Sequence, residues 1–127
     1  MKKIFGVLFS MFMLAGCGSA SGDGTFKQIS QDDAASIMES EKNYIILDVR
    51  RPDEFSTGHI PDAINIPNET IGTEEIPQLP EKDQLILVYC RSGNRSKQSA
   101  AKLAALGYTN IMEFGGINTW TGDITTD

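Results

Sequence analysis

A cysteine placed between a strand-forming run and a helical pattern is the residue of this 127-residue chain best suited to chemistry. The loop Cys90–Arg95 follows the apolar run Leu85–Tyr89 and precedes an alanine-rich helical pattern that ends at Leu106. Backbone N–H groups of a loop that enters a helix can form an anion-binding nest, to which the helix N-terminus adds partial positive charge. Arg91 and Arg95 add two full charges. Together these features favour the thiolate form of Cys90, which is the nucleophilic form.

The spacing of the loop narrows the chemistry. Cysteine phosphatases surround phosphate with a Cys-x5-Arg loop, whereas Cys90 and Arg95 give Cys-x4-Arg. The shorter loop makes a smaller bowl, which suits one sulfur atom carried on the cysteine better than a tetrahedral phosphate. The alternative is a buried, inert cysteine at the end of a core strand. Arginines on both sides disfavour that alternative, because they do not normally line an apolar burial site.

The first residues have the pattern of a bacterial lipoprotein signal. Lys2 and Lys3 form a basic start, and the apolar stretch Ile4–Leu14 is too short to span a bilayer as a helix, which needs about 20 residues. The junction Leu-Ala-Gly before Cys17 resembles a lipobox, in which the signal is cleaved before an acylated cysteine. An ordinary secretory signal and an uncleaved anchor are the alternatives. We expect a lipid anchor at Cys17, which attaches the protein to a membrane on its extracytoplasmic face.

This pattern divides the chain into a signal peptide at 1–16, a lipidated cysteine with a flexible tether at 17–25, and one domain at 26–127. Removal of the signal takes away two lysines and no acidic residue, so the formal charge falls from −6 to −8. An acidic domain without a basic run does not fit nucleic-acid binding. If Cys17 is acylated, Cys90 is a lone thiol in a disulfide-permissive compartment, which favours a functional thiol. One histidine and two distant cysteines predict no metal site, and no cofactor motif is present.

Strand and helix patterns alternate along the domain, which predicts an α/β fold with a mostly parallel, five-stranded sheet flanked by helices. Chemistry on such sheets lies beyond the carboxyl ends of the strands, where Cys90 and Asp48 are both expected. The predicted strands are 26–29, 44–49, 63–66, 85–89 and 110–114. The predicted helices are 30–40, which Ser30 caps, a turn at 52–55, a short helix near Thr73, and 95–106, which ends at Gly107. Gly115-Gly116 is expected to be a turn.

At this point the chain resembles a single-domain rhodanese, a sulfurtransferase, over nearly all of residues 26–121. The resemblance rests on four motifs in a fixed order: Leu47–Arg50 with Glu54-Phe55, Gly58–Pro61 leading to Ala63–Pro67, the Cys90–Arg95 loop, and Gly115-Gly116 with Trp120. It implies a three-layer rhodanese fold and a ping-pong reaction. The thiolate takes the outer sulfur of a donor such as thiosulfate or polysulfide. A thiophilic acceptor, such as cyanide, a small thiol or a protein thiol, then removes the sulfur.

The resemblance also implies roles for individual residues. Cys90 is the expected nucleophile and sulfur carrier, and two arginines in the loop favour thiosulfate as the donor. Asp48 ends a predicted strand and Arg50 lies two residues later, which makes them candidates for a rim group that orients the loop or tunes Cys90. A structural carboxylate at Asp48 is the preferred interpretation, with Arg50 pairing to Glu54. The expected binding residues, through backbone amides and side-chain charge, are Arg91, Ser92, Gly93, Asn94, Arg95 and Ser96.

Three other positions carry weaker signals. His59 is the only histidine, and the resemblance places it in a structural turn. Trp120 is expected in the core or as a lid. Asp62 stands where the family often has glycine, and aspartate tolerates turn geometries better than most residues, so we expect no loss of fold.

Two other functions use the same cysteine. The protein can load one sulfur and wait as a persulfide or polysulfide carrier or sensor for a partner protein, and steady turnover would exclude that role. A phosphatase or arsenate reductase is disfavoured by the short loop.

Overall fold

The computed structural model describes residues 25–72 and 74–127. The predicted signal peptide, the lipidation site Cys17, the tether as far as residue 24 and the centre of the predicted helix at Thr73 lie outside the described residues. Near that last position the structure has a 3₁₀ helix at Asn68–Thr70.

Five strands form one sheet, and every neighbouring pair is parallel. The spatial order is β1-β5-β4-β2-β3, so β4 is central and the strand pairs β4–β5 and β4–β2 make the longest ladders. The predicted five-stranded parallel α/β sheet is therefore confirmed. The strands are β1 (Lys27–Gln28), β2 (Tyr44–Asp48), β3 (Ile64–Asn65), β4 (Leu85–Cys90) and β5 (Ile111–Gly116).

Helices cover both faces of the sheet. They are α1 (Gln31–Ser40), α2 (Pro52–Thr57) and α3 (Asn94–Ala105), and a second 3₁₀ helix follows at Ile117–Thr119. Ser30 caps α1 as predicted, because its hydroxyl accepts a hydrogen bond from the Asp33 N–H at 3.0 Å. Gly107 has a φ of 103° directly after α3, which confirms it as the residue that ends the helix.

Two hydrophobic clusters lie on opposite faces of the sheet. One contains Val88 and Cys90 beneath α3, and the other contains Leu87 and Tyr89 with Ala34 of α1. Successive residues of a strand point to opposite faces, so Tyr89 and Cys90 end up in different layers of the molecule. This separation decides which side chains can reach the cysteine.

The expected turn at Gly115-Gly116 is wrong, because both glycines belong to β5. Gly116 allows the end of β5 to lie close to the backbone of the cysteine loop. A Cβ on Gly116 would overlap the backbone carbonyl of Arg91 and lie 2.6 Å from Ser92 Cα. Asn118 N–H then donates to that same carbonyl at 3.1 Å. The end of β5 therefore packs directly against the loop that follows β4.

Neither a helix able to cross a bilayer nor a group of side chains able to hold a metal ion occurs between residues 25 and 127, Thr73 excepted.

Candidate active site

Cys90 is the last residue of β4, and only 1% of its surface is exposed. Its Sγ accepts a hydrogen bond from Gly93 N–H at 2.9 Å, which closes the loop Arg91–Gly93 over the sulfur. Gly93 has a φ of 111°, a left-handed conformation that side chains disfavour, and α3 begins at the next residue. The predicted order of strand, cysteine loop and helix is therefore what the structure contains.

Opposing effects act on the ionisation of this thiol. Burial raises the pKa of Cys90, but hydrogen bonds from the Ser96 hydroxyl and from the N–H groups of Ser96, Gly93 and Ser92 outweigh it. The pKa therefore lies below the ordinary value for cysteine, because these donors stabilise the charged form. The loop therefore favours the nucleophilic thiolate form of Cys90.

The predicted binding residues occupy two kinds of environment. Gly93 and Ser96 are buried against the sulfur, whereas Arg91, Ser92 and Asn94 are exposed at the rim, and Arg95 lies between these extremes. The structure thus brings all six into one loop and helix start around Cys90. Whether each contacts a substrate stays a prediction.

Arg95 is already engaged by an acid. Its Nη1 lies 2.8 Å from Glu54 Oε1 and its Nη2 lies 3.2 Å from Glu54 Oε2, so α2 is tied to the first turn of α3. The hydrogen bond from Arg95 lowers the pKa of Glu54 to about 2. Glu54 therefore offsets much of the positive charge of Arg95. The expected pairing of Glu54 with Arg50 is wrong, because Glu54 pairs with Arg95.

Two cations at the rim remain available to an anionic donor. The side chain of Arg91 makes no hydrogen bond or ion pair within the described part of the chain, and the residue is exposed. Lys97 is exposed on the first turn of α3, and its Nζ lies 3.6 Å from the position that a Cβ on Gly93 would take. Sequence reasoning missed Lys97, although its position two residues after Arg95, in the first turn of α3, was a signal.

Asp48 and Arg50 lie on the other face of the sheet. Arg50 Nη2 makes a buried ion pair with Asp48 Oδ2 at 2.8 Å and also donates to Gly58 O at 2.7 Å. The Arg50 guanidinium sits 5.9 Å from the ring centre of Tyr89, whose hydroxyl accepts from Ile60 N–H. Neither member of the pair hydrogen-bonds the cysteine loop, so the geometry favours the structural interpretation of Asp48.

The remaining candidates are also accounted for in the structure. His59 is 3% exposed, stacks on Phe55 with ring centres 3.7 Å apart, and places Nδ1 2.8 Å from Phe55 O, which fits a structural turn. Trp120 is half-buried against Phe114. Asp62 has a φ of 71°, which explains why glycine suits this position.

A buried carboxylate stands behind the loop, and sequence reasoning missed it. Glu113 on β5 is 2% exposed, and its Oε2 accepts from Ser96 Oγ at 2.5 Å and from Gly115 N–H at 2.9 Å. It lies within the predicted strand 110–114 and was not among the candidate site residues. No local signal distinguishes it, because its partners come from α3 and from the glycine pair.

The chain matches a known protein family along most of its length. The family model described as "Rhodanese-like domain" matches residues 30–123. A protein named "Sulfurtransferase" from Allochromatium vinosum is 34% identical over 96 residues, which are 73% of this chain and 86% of that protein. "Adenylyltransferase and sulfurtransferase UBA4" from Candida albicans is 33% identical over 117 residues, or 85% of this chain. The chain spans only 27% of that longer protein.

A solved structure has the same fold. The crystal structure of a rhodanese-related protein from Thermoplasma volcanium superposes with a TM-score of 0.67 at 30% identity and covers 80% of this chain and 100% of that one.

Proposed function

The chain belongs to the rhodanese-like family, whose named relatives are sulfurtransferases, and from this premise we propose that it moves a sulfane sulfur from thiosulfate to a thiophilic acceptor through a persulfide on Cys90. The single observation that carries the proposal is the position of Cys90 Sγ among hydrogen-bond donors. The sulfur lies at the start of α3, 2.9 Å from Gly93 N–H, within a loop whose donors favour a thiolate.

The first half of the reaction exchanges one S–S bond for another. The Cys90 thiolate attacks the outer sulfur of thiosulfate, the S–S bond of thiosulfate breaks, and sulfite leaves with the electron pair. A persulfide anion remains on Cys90. We expect the N–H groups that stabilise the thiolate to stabilise this persulfide anion as well.

The second half returns the enzyme to its starting state. Cyanide, or a thiolate, attacks the outer sulfur of the persulfide and takes it as thiocyanate or as a new persulfide. The bond to Cys90 breaks, and the electron pair returns to Sγ. The lowered pKa of the Cys90 thiol favours its departure as a thiolate in this step.

Charge at the rim supports thiosulfate as the donor. Thiosulfate carries two negative charges, and Arg91 and Lys97 are exposed beside the loop. Arg91→Ala is expected to lower kcat/KM for thiosulfate by about tenfold, the scale of one lost charge-assisted contact. The matched control is Lys42→Ala, an exposed cation before β2 at the opposite end of the sheet. Equal losses in the two variants would contradict the charge argument.

The deciding experiment is intact mass spectrometry of the purified chain after incubation with thiosulfate. We expect a gain of one sulfur atom that is absent in Cys90→Ser and that cyanide discharges as thiocyanate. A folded protein with a free thiol and no adduct would remove thiosulfate as donor. Repeated turnover supports an enzyme, whereas a single stable load supports a carrier or sensor.

We also propose that Cys17 is acylated and anchors the domain to the extracytoplasmic face of a membrane, on the strength of its lipobox-like context. Cys17→Ser is expected to move the protein from the membrane fraction to the soluble fraction with its sulfur transfer unchanged. A variant that stays in the membrane fraction would contradict acylation at this residue.

A further inference from the structure

The guanidinium of Arg95 is held against α2 by a carboxylate. Glu54 Oε1 lies 2.8 Å from Arg95 Nη1, and Glu54 Oε2 lies 3.2 Å from Arg95 Nη2. The backbone N–H of Arg51 donates to Glu54 Oε1 at 3.1 Å, which fixes the carboxylate to the start of α2. The side chains of Arg95 and Glu54 are 27% and 23% exposed, so water competes for this pair less than it does at the open surface. The guanidinium therefore has a fixed place beside α2.

The second acid on the first turn of α2 has a different partner. Asp53 is bound to the guanidinium of Arg51, with Nη2 2.7 Å from Oδ2, and both side chains are more than half exposed. Asp53 and Glu54 are thus neighbouring acids with the same charge, and of the two it is Glu54 that pairs with an arginine of the cysteine loop. This difference supplies a matched control for the charge of Glu54.

Arg95 is anchored close to the reactive sulfur, although its guanidinium is turned to α2. It is the second residue of α3, and Gly93, two residues earlier, donates to Cys90 Sγ at 2.9 Å. Two residues of chain span at most about 7 Å, so the Arg95 backbone lies within about 10 Å of the sulfur, which is about the Debye length at 0.1 M salt. The hydrogen bond to Glu54 raises the pKa of Arg95, and the charge of Cys90 adds a smaller increase, which agrees with this separation.

We propose that Glu54 is a positioning residue that keeps the Arg95 guanidinium on the α2 side of the site, and thereby narrows the preference for a doubly charged sulfane-sulfur donor over a singly charged one. The proposal deepens the function assigned to Cys90 and rests on it. Glu54 does not touch the substrate, since it acts through Arg95. Of the two loop arginines, Arg91 is then the one whose charge meets the donor.

The chemistry of the donors makes this preference measurable. Thiosulfate carries two negative charges, whereas the methanethiosulfonate anion, in which a methyl group replaces one oxygen, carries one. The Cys90 thiolate attacks the outer sulfur of either molecule, the S–S bond of the donor breaks, and sulfite or methanesulfinate leaves with the electron pair. Because the transferred atom is the same and the outlines are similar, the two donors differ mainly in charge.

The test is the ratio of the alkylation rates of Cys90 with iodoacetate and with iodoacetamide, measured on full-chain variants in a Cys17→Ser background. Both reagents consume the same thiolate, so the ratio cancels the ionisation of the thiol and reports the charge that an approaching anion meets. Glu54→Gln keeps one acceptor oxygen but loses the charge and the second contact to the guanidinium. We expect this variant to raise the ratio about threefold, the scale of one partly exposed charge.

Asp53→Asn is the matched control, because it removes the same charge one residue away and leaves the Glu54–Arg95 pair in place. We expect it to change the ratio less than about 1.5-fold. An equal rise in the two variants would assign the effect to net charge and overturn the proposal. A ratio that does not change in Glu54→Gln would also overturn it.

A double-mutant cycle shows whether Glu54 acts through Arg95. In an Arg95→Gln background, Glu54→Gln is expected to change the ratio less than about 1.5-fold, because no guanidinium remains to be released. A threefold rise in that background would mean that the carboxylate acts on the anion directly, which contradicts a positioning role.

The two loop arginines give a test that needs no change at Glu54. Arg91→Gln is expected to lower the alkylation ratio about threefold, and Arg95→Gln less than about 1.5-fold, because the charge of Arg95 is already engaged. Equal losses in these two variants would overturn the proposal, even if Glu54→Gln fails to fold.

Sulfur transfer from the two donors carries the inference to the reaction. The ratio of kcat/KM for thiosulfate to that for methanethiosulfonate should rise about threefold in Glu54→Gln, through a lower KM for thiosulfate, and stay constant in Asp53→Asn. General structural damage would lower kcat/KM for both donors and leave their ratio unchanged, which would overturn the proposed donor preference. The alkylation ratio involves no sulfur donor, so it decides the position of Arg95 even if thiosulfate proves not to be the donor.

Discussion

Tyr89 and Cys90 are consecutive residues at the end of β4 and are equally buried, with 0% and 1% of their surfaces exposed, yet their ionisation is shifted in opposite directions. Burial raises the pKa of Tyr89, and the charge of Asp48 raises it further. Burial also raises the pKa of Cys90, but donors from the loop and α3 reverse the effect. Burial alone therefore does not set the chemistry of a side chain in this protein. The hydrogen-bond donors around each side chain decide the direction in which its pKa is shifted.

The two faces use polar groups for different purposes. On the Tyr89 face, Asp48 and Arg50 neutralise each other, and Gly58 O accepts a remaining guanidinium N–H. On the Cys90 face, N–H groups converge on one sulfur atom. The first face is expected to carry stability and the second reactivity, and substitutions can test that division.

The largest expected effect is on stability, from Asp48→Asn. The substitution leaves the Arg50 guanidinium buried without its counter-charge, which is expected to cost about 3 kcal/mol of unfolding free energy. Urea unfolding measures the cost. The matched control is Asp53→Asn, which breaks an exposed Arg51–Asp53 pair and should change little. If the folded fraction of Asp48→Asn also loses Cys90 reactivity, the two faces are not independent.

Gly116→Ala tests the contact between β5 and the cysteine loop. The added methyl would overlap the Arg91 carbonyl, so we expect a loss of about 2 kcal/mol and a displaced loop with greatly reduced sulfur transfer. Thermal unfolding and kcat/KM measure the two effects. Gly72→Ala is the control, because its new methyl would meet nothing within 4 Å. Full activity in Gly116→Ala would show that the close approach is dispensable.

The Glu54–Arg95 pair, on the rim of the reactive face, predicts a pH dependence of stability. Because the pKa of Glu54 is lowered to about 2 in the folded state, its contribution is complete above the unfolded value and is lost as the pH falls toward 2. Allowing for partial exposure, we expect about 1 kcal/mol at pH 6. Glu54→Gln should therefore be less stable than the native chain at pH 6 and nearly equal at pH 2. A constant difference would assign the effect to packing.

Asp62→Gly should have the smallest effect and belongs to neither face. Relief of the left-handed φ of 71° is expected to stabilise the fold by about 0.5 kcal/mol, less than the full strain because glycine loses more entropy on folding. The midpoint of thermal unfolding should rise slightly, with sulfur transfer unchanged. A lower midpoint would mean that the Asp62 side chain contributes contacts that offset the strain.

Sequence reasoning reached the parts of the site that are local in the chain. The apolar runs predicted the strands. Cys90, Gly93 and Arg95 lie within six residues of each other, so their proximity did not depend on the fold. Glu113 and Gly116 lie 23 and 26 residues after Cys90, and only the β4–β5 pairing brings them to the loop. Glu54 was assigned wrongly to Arg50 for the same reason, since its partner Arg95 is 41 residues away in the chain.

The sulfur of Cys90 lies below the protein surface, which limits the shape of the molecules that can contact it. A flat protein surface cannot contact a thiol so recessed, so a donor would have to present its sulfur on a slender terminal group. Each added sulfur lengthens the side chain by about 2 Å, so a loaded cysteine presents its outer atom nearer to the opening than the bare thiol does. Under the proposed mechanism, burial shields the bare thiol from bulky oxidants, whereas the persulfide would present its outer sulfur atom to an acceptor at the rim.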